Sequence, residues 1–66
     1  MENWSRIDED FVETPGKVIQ FLKEIAYLYS KYNMSISHED IHGSFIIENN
    51  DDDNLEWLTK AQLNIK

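Results

Sequence analysis

His38-Glu39-Asp40-Ile41-His42 reads as H-E-x-x-H, the spacing with which zinc hydrolases hold two imidazoles on one helix face beside a glutamate that activates water. That chemistry needs a helix, because only there do residues i and i+4 stand one above the other. The flanking residues argue against one. Ser35-Ile36-Ser37 alternates polar and apolar before the motif, and Gly43-Ser44-Phe45-Ile46-Ile47 has β character after it. A third ligand would have to come from Glu48 or Glu56, and a chain of 66 residues has no second lobe to complete a substrate cleft. Zinc hydrolysis is therefore not expected, and no catalytic residue, metal site or cofactor is assigned. Adventitious or structural metal binding at the tip stays open, since His38, Glu39, Asp40 and His42 could converge there. His38 has no nucleophile paired with it, so acyl transfer gains no support.

Two further patterns invite chemistry. Asn49-Asn50-Asp51-Asp52-Asp53-Asn54 resembles the start of a calcium loop, but it lacks the turn glycine, and Lys60 occupies the place of the closing bidentate glutamate. A solvated turn leading into a helix explains the run more simply. Phosphate cradles require glycine-rich loops, and the only glycines are Gly16 and Gly43.

The elements that would position these residues fall into three pieces, divided by Pro15-Gly16 and by the acidic-polar run from Glu48 to Asn54. Residues 1–14 form an N-terminal arm in which Trp4, Ile7 and Phe11 fall on one side of a short helix. Three helical turns are marginal alone in water, so the arm must dock on its own body or in a partner's groove. From about residue 15 to 32, Val18, Leu22, Ile25, Tyr29 and Tyr32 recur at helical spacing, widened by Phe21 and Leu28. Thr14 and Pro15 suit the cap and first helical position, and Asn33 suits a left-handed end. Ile19 and Tyr27 sit off the stripe, as scattered surface apolars or as a binding spot.

Residues 34–48 read as a β-hairpin, with Met34, Ile36 and His38 on one side of the first strand and Glu39 to Gly43 in the loop. Asp53 and Glu56 then form an acidic capping box for a helix carrying Leu55, Trp57, Leu58, Ala61 and Ile65. The expected fold is a single α+β domain over 1–66. In it a two-stranded antiparallel hairpin packs on a long amphipathic helix and a C-terminal helix, forming a 15–66 body with a helical arm at 1–14. Its expected core is Val18, Leu22, Ile25, Leu28, Tyr29, Ile36, Phe45, Ile47, Leu55 and Leu58.

Size and charge bound the function. Below about 70–80 residues a single core supplies roughly 3–5 kcal/mol, and with no cysteine there is no disulfide to add. A homodimer, or stabilisation by a partner, is therefore expected. Thirteen acidic against six basic side chains give a net charge of −7, with Arg6 the only arginine. That balance disfavours direct binding to nucleic acid or to anionic membranes. It suits a partner with a basic surface, or simply keeps a small protein soluble. No apolar run approaches the roughly 20 residues of a membrane span, and the start of the chain lacks the pattern of a signal peptide. A cytoplasmic protein is the expectation.

Ser35-Ile36-Ser37-His38-Glu39-Asp40 followed by Gly43-Ser44-Phe45-Ile46-Ile47-Glu48, with a helix before and Trp57-Leu58 after, resembles a signature in small uncharacterised proteins of phages infecting Gram-positive bacteria. The resemblance covers residues 17–60 and brings no binding residues with it. It implies a setting, the host cytoplasm, where phage proteins of this size often inhibit host enzymes or defence systems. The expected function is capture of a host protein, with acidic side chains mimicking a phosphate row against a nucleic-acid-handling or defence enzyme. Candidate contacts are His38, Glu39, Asp40 and His42 at the hairpin tip, Asp51 and Asp52, the Ile19 and Tyr27 spot, and Trp4. Two other functions stand beside this one. A sponge for a signalling nucleotide would use His38 with Phe45 to hold a base, although scarce arginine opposes a polyphosphate. A structural or regulatory oligomer would need no ligand.

Overall fold

The N-terminal arm is a β-hairpin, not a helix. In the computed structural model, which describes residues 1–66, the elements run β1 (Glu2–Ser5), β2 (Asp10–Glu13), α1 (Gly16–Tyr32), β3 (Met34–His38), β4 (Phe45–Asn49) and α2 (Asp52–Thr59). The architecture is α+β, with two separate two-stranded antiparallel sheets, β1–β2 and β3–β4. Trp4 and Phe11 stand directly opposite each other on β1 and β2, edge to face with ring centroids 5.3 Å apart. A spacing that fits a helical face also fits two strands around a tight turn, and the turn wins here. Glu9 adopts a left-handed φ of 53°, and Asp10 accepts the Phe11 N–H at 2.7 Å. The cross-strand aromatic pair then adds what an isolated three-turn helix lacks.

The arm is tied down by its backbone. Leu63 donates to the Trp4 carbonyl at 2.8 Å, and Arg6 donates to the Leu63 carbonyl at 2.7 Å, so the C-terminal segment lies beside β1 as a parallel bridge. The last helix is shorter than expected for this reason. It ends at Thr59, and the chain then leaves the helix so that Leu63 can bridge to β1.

Helix α1 ends as its sequence indicates, on Asn33 in the left-handed conformation with its N–H returned to the Tyr29 carbonyl. Its start differs. Pro15 occupies the cap position and no side chain caps the helix. Thr14 is instead buried, with its hydroxyl donated to Asn3 Oδ1. At α2 the cap moves from Asp53 to Asp51, whose carboxylate accepts the Asp53 N–H at 2.8 Å.

The core is where the structure departs furthest from expectation. The backbone envelope measures 33 × 29 × 17 Å, and the thin dimension leaves room for little more than a helix on a sheet, since such layers stack about 10 Å apart. Of the expected core, only Leu22 and Tyr29 are buried. Val18, Ile25, Leu55 and Leu58 are half-buried, and Leu28, Ile36, Phe45 and Ile47 are exposed. The other buried residues are polar: Asn3, Ser5, Thr14 and Ser35.

Candidate functional site

Strand pairing decides which side chains share a face. Ile36 lies opposite Ile47, His38 opposite Phe45, and Met34 opposite Asn49, so these six project from one side of the β3–β4 sheet. Ser35, Ser37, Ile46 and Glu48 project from the other, where Asn54 of α2 donates to Ser35 Oγ at 2.9 Å and to Glu48 Oε2 at 3.0 Å. Helix α1 borders the first side without covering it. Ile25, Leu28, Tyr29 and Tyr32 of the helix and Met34, Ile36 and Ile47 of the sheet enclose an apolar groove of about 260 Å³, in which Ser35 is the one polar lining residue. Tyr29 forms the hinge of this groove. Its hydroxyl accepts the Ile36 N–H at 3.1 Å and reaches the Ile36 carbonyl at 3.4 Å.

The hairpin tip holds its four polar residues apart from zinc geometry. His38 is the last residue of β3 and His42 lies in the following turn, so the two imidazoles do not share a helix face. Glu39 serves the turn instead, accepting the Ile41 and His42 N–H groups, both at 2.8 Å. Those bonds, from His42 first and Ile41 second, hold its carboxyl below the ordinary 4.5, with the His42 side chain and the nearby His38 adding to the effect. His42 Nδ1 sits 3.3 Å from Glu39 Oε2, and His38 Nδ1 sits 3.6 Å from Asp40 Oδ1. Gly43 closes the turn at φ 71°, a conformation that favours glycine. No three histidine or acidic side chains converge to hold a metal ion.

His38 is half-buried beside Phe45 and Trp57, with ring centroids at 6.0 and 6.1 Å. The rings meet at interplanar angles of 75° and 41°. His38 thus meets Phe45 edge to face and Trp57 at a tilt, and Phe45 itself stays exposed.

The remaining candidates scatter. Asp51 is committed to the α2 cap, while Asp52 and Asp53 occupy the first turn, where carboxylates favour the helix dipole. Ile19 is half-buried on α1 and Tyr27 is exposed. Trp4 is half-buried against Phe11 and borders a wide, shallow hollow of about 540 Å³ with Arg6, Glu9 and Gln62. That hollow is larger than the groove but too open to enclose a ligand. Eight of the thirteen acidic side chains thus fall in three clusters: Asp8 to Asp10 at the β1–β2 turn, Glu39 with Asp40 at the hairpin tip, and Asp51 to Asp53 at the start of α2. No helix is long and apolar enough to cross a membrane.

No known protein family, characterised protein or solved structure matches this chain. The site is therefore read from its own geometry.

One structural centre went unseen in the sequence. Asn3 donates from Nδ2 to the Thr59 carbonyl at 3.0 Å and the Ala61 carbonyl at 2.9 Å, and accepts from the Thr14 hydroxyl. It joins β1, the end of β2 and the end of α2. A buried asparagine bears no apolar signature, and the one usable hint is the two-strand reading of Trp4 and Phe11, which turns Asn3 to the inside.

Proposed function

We propose that this chain is a protein-binding module, without a catalytic step, that captures a partner bearing a basic surface. The partner's apolar side chains enter the groove between α1 and β3–β4. The observation that carries this reading is the inversion of polarity across the fold. Polar side chains fill most of the small interior, while Leu28, Tyr32, Met34, Ile36 and Ile47 stand exposed around one groove, with Phe45 exposed on the same side of the sheet. Monomeric soluble proteins rarely leave a contiguous apolar patch of this kind without a binding use. The net charge of −7 selects a cationic partner and speeds the encounter. In the phage setting that the resemblance implies, the partner is a host protein, captured in the host cytoplasm and inhibited. A nucleic-acid-handling or defence enzyme has the basic surface that three acidic clusters would meet as a phosphate row meets it.

The test separates groove from charge. The tagged chain and its Leu28→Gln and Met34→Gln variants, neutral changes at exposed positions, are used to capture protein from host lysate, and the captured protein is purified and titrated. Affinity should fall at least tenfold in the paired variant, and fall again as salt rises from 50 to 500 mM (assay conditions) because exposed charges are screened over about 10 Å at 0.1 M. Binding indifferent to both changes would overturn the reading.

A further inference from the structure

The β3–β4 sheet has one edge blocked at its centre by a side chain and one open edge. Along this hairpin the Glu39 N–H donates to the Ser44 carbonyl at 2.8 Å, and the Asn50 N–H donates to the Asn33 carbonyl at 3.1 Å. Antiparallel ladders alternate bonded and non-bonded pairs. On the observed register, Ser44, Ile46 and Glu48 therefore bond to β3, while Phe45 and Ile47 turn their N–H and carbonyl groups outward. Ile36, directly opposite Ile47, confirms the alternation: its own outward N–H and carbonyl both meet the Tyr29 hydroxyl. Tyr29 occupies the centre of the β3 edge. Nothing closes β4, where no hydrogen bond reaches the outward groups of Phe45 or Ile47. The other free edge, β2, has Asp10 and Glu13 at its two ends, the kind of charge that protects an edge from pairing. The corresponding stretch of β4 is Phe45-Ile46-Ile47.

We propose that a second copy of this chain covers this edge, β4 pairing antiparallel with β4 across a two-fold axis through Ile46. The side chains are self-complementary about that point. Phe45 faces Ile47 of the second copy on one side of the sheet, an aromatic–β-branched pair of the kind that stabilises sheets. Ile46 faces itself on the other side, and Ser44 faces Glu48, so no two like charges stand opposite. Shifting the axis to Ile47 would set Ile46 against Glu48. It would also require the Asn49 carbonyl, which already accepts the Ser35 hydroxyl at 2.8 Å. Only the axis through Ile46 uses the two free rungs and no other.

The size of the joint sets its strength. Phe45, Ile46 and Ile47 are 78, 40 and 66% exposed, which at about 200 Å² for a side chain of this size amounts to roughly 350 Å² per copy. That is below the roughly 800 Å² per partner of a standard stable interface, so the dimer is weak, with a Kd on the order of 10–100 µM. The pairing keeps the groove sides of both copies on the same side of a four-stranded sheet, with an α1 helix at each flank. Two grooves become one trough.

Because the chain has no cysteine, single-cysteine variants read the axis directly. Opposed residues of a non-bonded pair have Cα atoms about 4.5 Å apart, within the range a disulfide spans. The Ile46→Cys variant should therefore form a covalent dimer on mild oxidation at least tenfold faster than Phe45→Cys or Tyr27→Cys. Sedimentation equilibrium of the unmodified chain, up to about 500 µM to bracket that Kd, should show a monomer–dimer equilibrium. Ile46→Lys should abolish it, with an unchanged circular dichroism spectrum showing that the fold is kept. Two copies of like charge associate better as salt rises, whereas capture of a basic partner weakens, so the two proposals fail independently. A monomer at every concentration overturns this one. So does equal crosslinking at all three positions, or a dimer that tolerates Ile46→Lys.

Discussion

Replacing Asn3 with alanine tests whether a polar clamp, rather than an apolar core, holds the N-terminal hairpin to the body. The substitution removes two donated bonds, to the Thr59 and Ala61 carbonyls at 3.0 and 2.9 Å, and the one accepted from Thr14. At about 1 kcal/mol net for each bond, with a surcharge for buried groups left unpaired, the loss is about 2–4 kcal/mol. A 66-residue domain holds roughly 3–10 kcal/mol in total, so the change removes a large share. Urea titration followed by tryptophan fluorescence suits the question, because Trp4 lies on the clamped hairpin and Trp57 on α2. In a Trp57→Phe background the signal reports the hairpin alone. Asn3→Asp sharpens the test: it keeps the acceptor for Thr14 but sets carboxylate oxygen against two carbonyls, so it should destabilise more than alanine at neutral pH. An Asn3→Ala variant within about 0.5 kcal/mol of the parent, the range of ordinary surface changes, would refute the reasoning. So would an Asn3→Asp variant more stable than the alanine one.

Two other outcomes follow from named contacts. Tyr29→Phe removes the hydroxyl that meets both outward groups of Ile36, and should cost about 1–2 kcal/mol, read as a drop in Tm of roughly 4–15 °C for a domain of this size; an unchanged Tm would show that water replaces it. Glu39 and Glu48 both have carboxyl pKa values held below the ordinary 4.5, Glu39 by the His42 and Ile41 N–H groups and Glu48 by Ser37 and Asn54. The folded state therefore binds fewer protons than the unfolded one. Stability is fully present above about pH 4.5 and is lost as pH falls through the lowered folded values. Urea midpoints measured from pH 7 to pH 3 should fall less steeply for Glu39→Gln than for the parent, and parallel curves would dismiss the contribution of Glu39.

The elements that were legible in the sequence are those whose pattern has one physical reading. A run of 17 residues from Gly16 to Tyr32 with apolar side chains at helical spacing can bury a stripe only as a helix, and Asn33 is among the few residues at ease with the left-handed end. Alternation at Met34 to His38, a turn glycine at Gly43 and the β-rich run after it define the second hairpin equally well. The first hairpin was hidden because Trp4, Ile7 and Phe11 satisfy two geometries. Backbone pairing with Leu63, 57 and 59 residues away in sequence from the Arg6 and Trp4 it bonds, chose between them, and no local propensity carries that information. The α2 cap moved from Asp53 to Asp51 for a smaller reason: in a run of three aspartates, any one can cap, and the entry of the chain from β4 selects the first.

The misjudged core has a different cause, and it bears on function. Apolar periodicity says which side chains share a face, but not that the face is covered. In a chain with more packing partners the side of β3–β4 that bears Ile36, Phe45 and Ile47 would lie against a second layer. Here α1 borders it, α2 lies against the opposite side except where Trp57 reaches His38 near the tip, and no further element remains to close it. What replaces the missing layer inside is hydrogen bonding at Asn3, Thr14 and Ser35, which is directional and can hold a thin fold without the apolar volume that a core requires. The apolar side chains thereby released to the surface are a cost in water at about 25 cal/mol per Å². A second copy along β4 and a partner in the groove would each recover part of it. The same residues that look like core in the sequence are thus the ones the fold leaves free to bind.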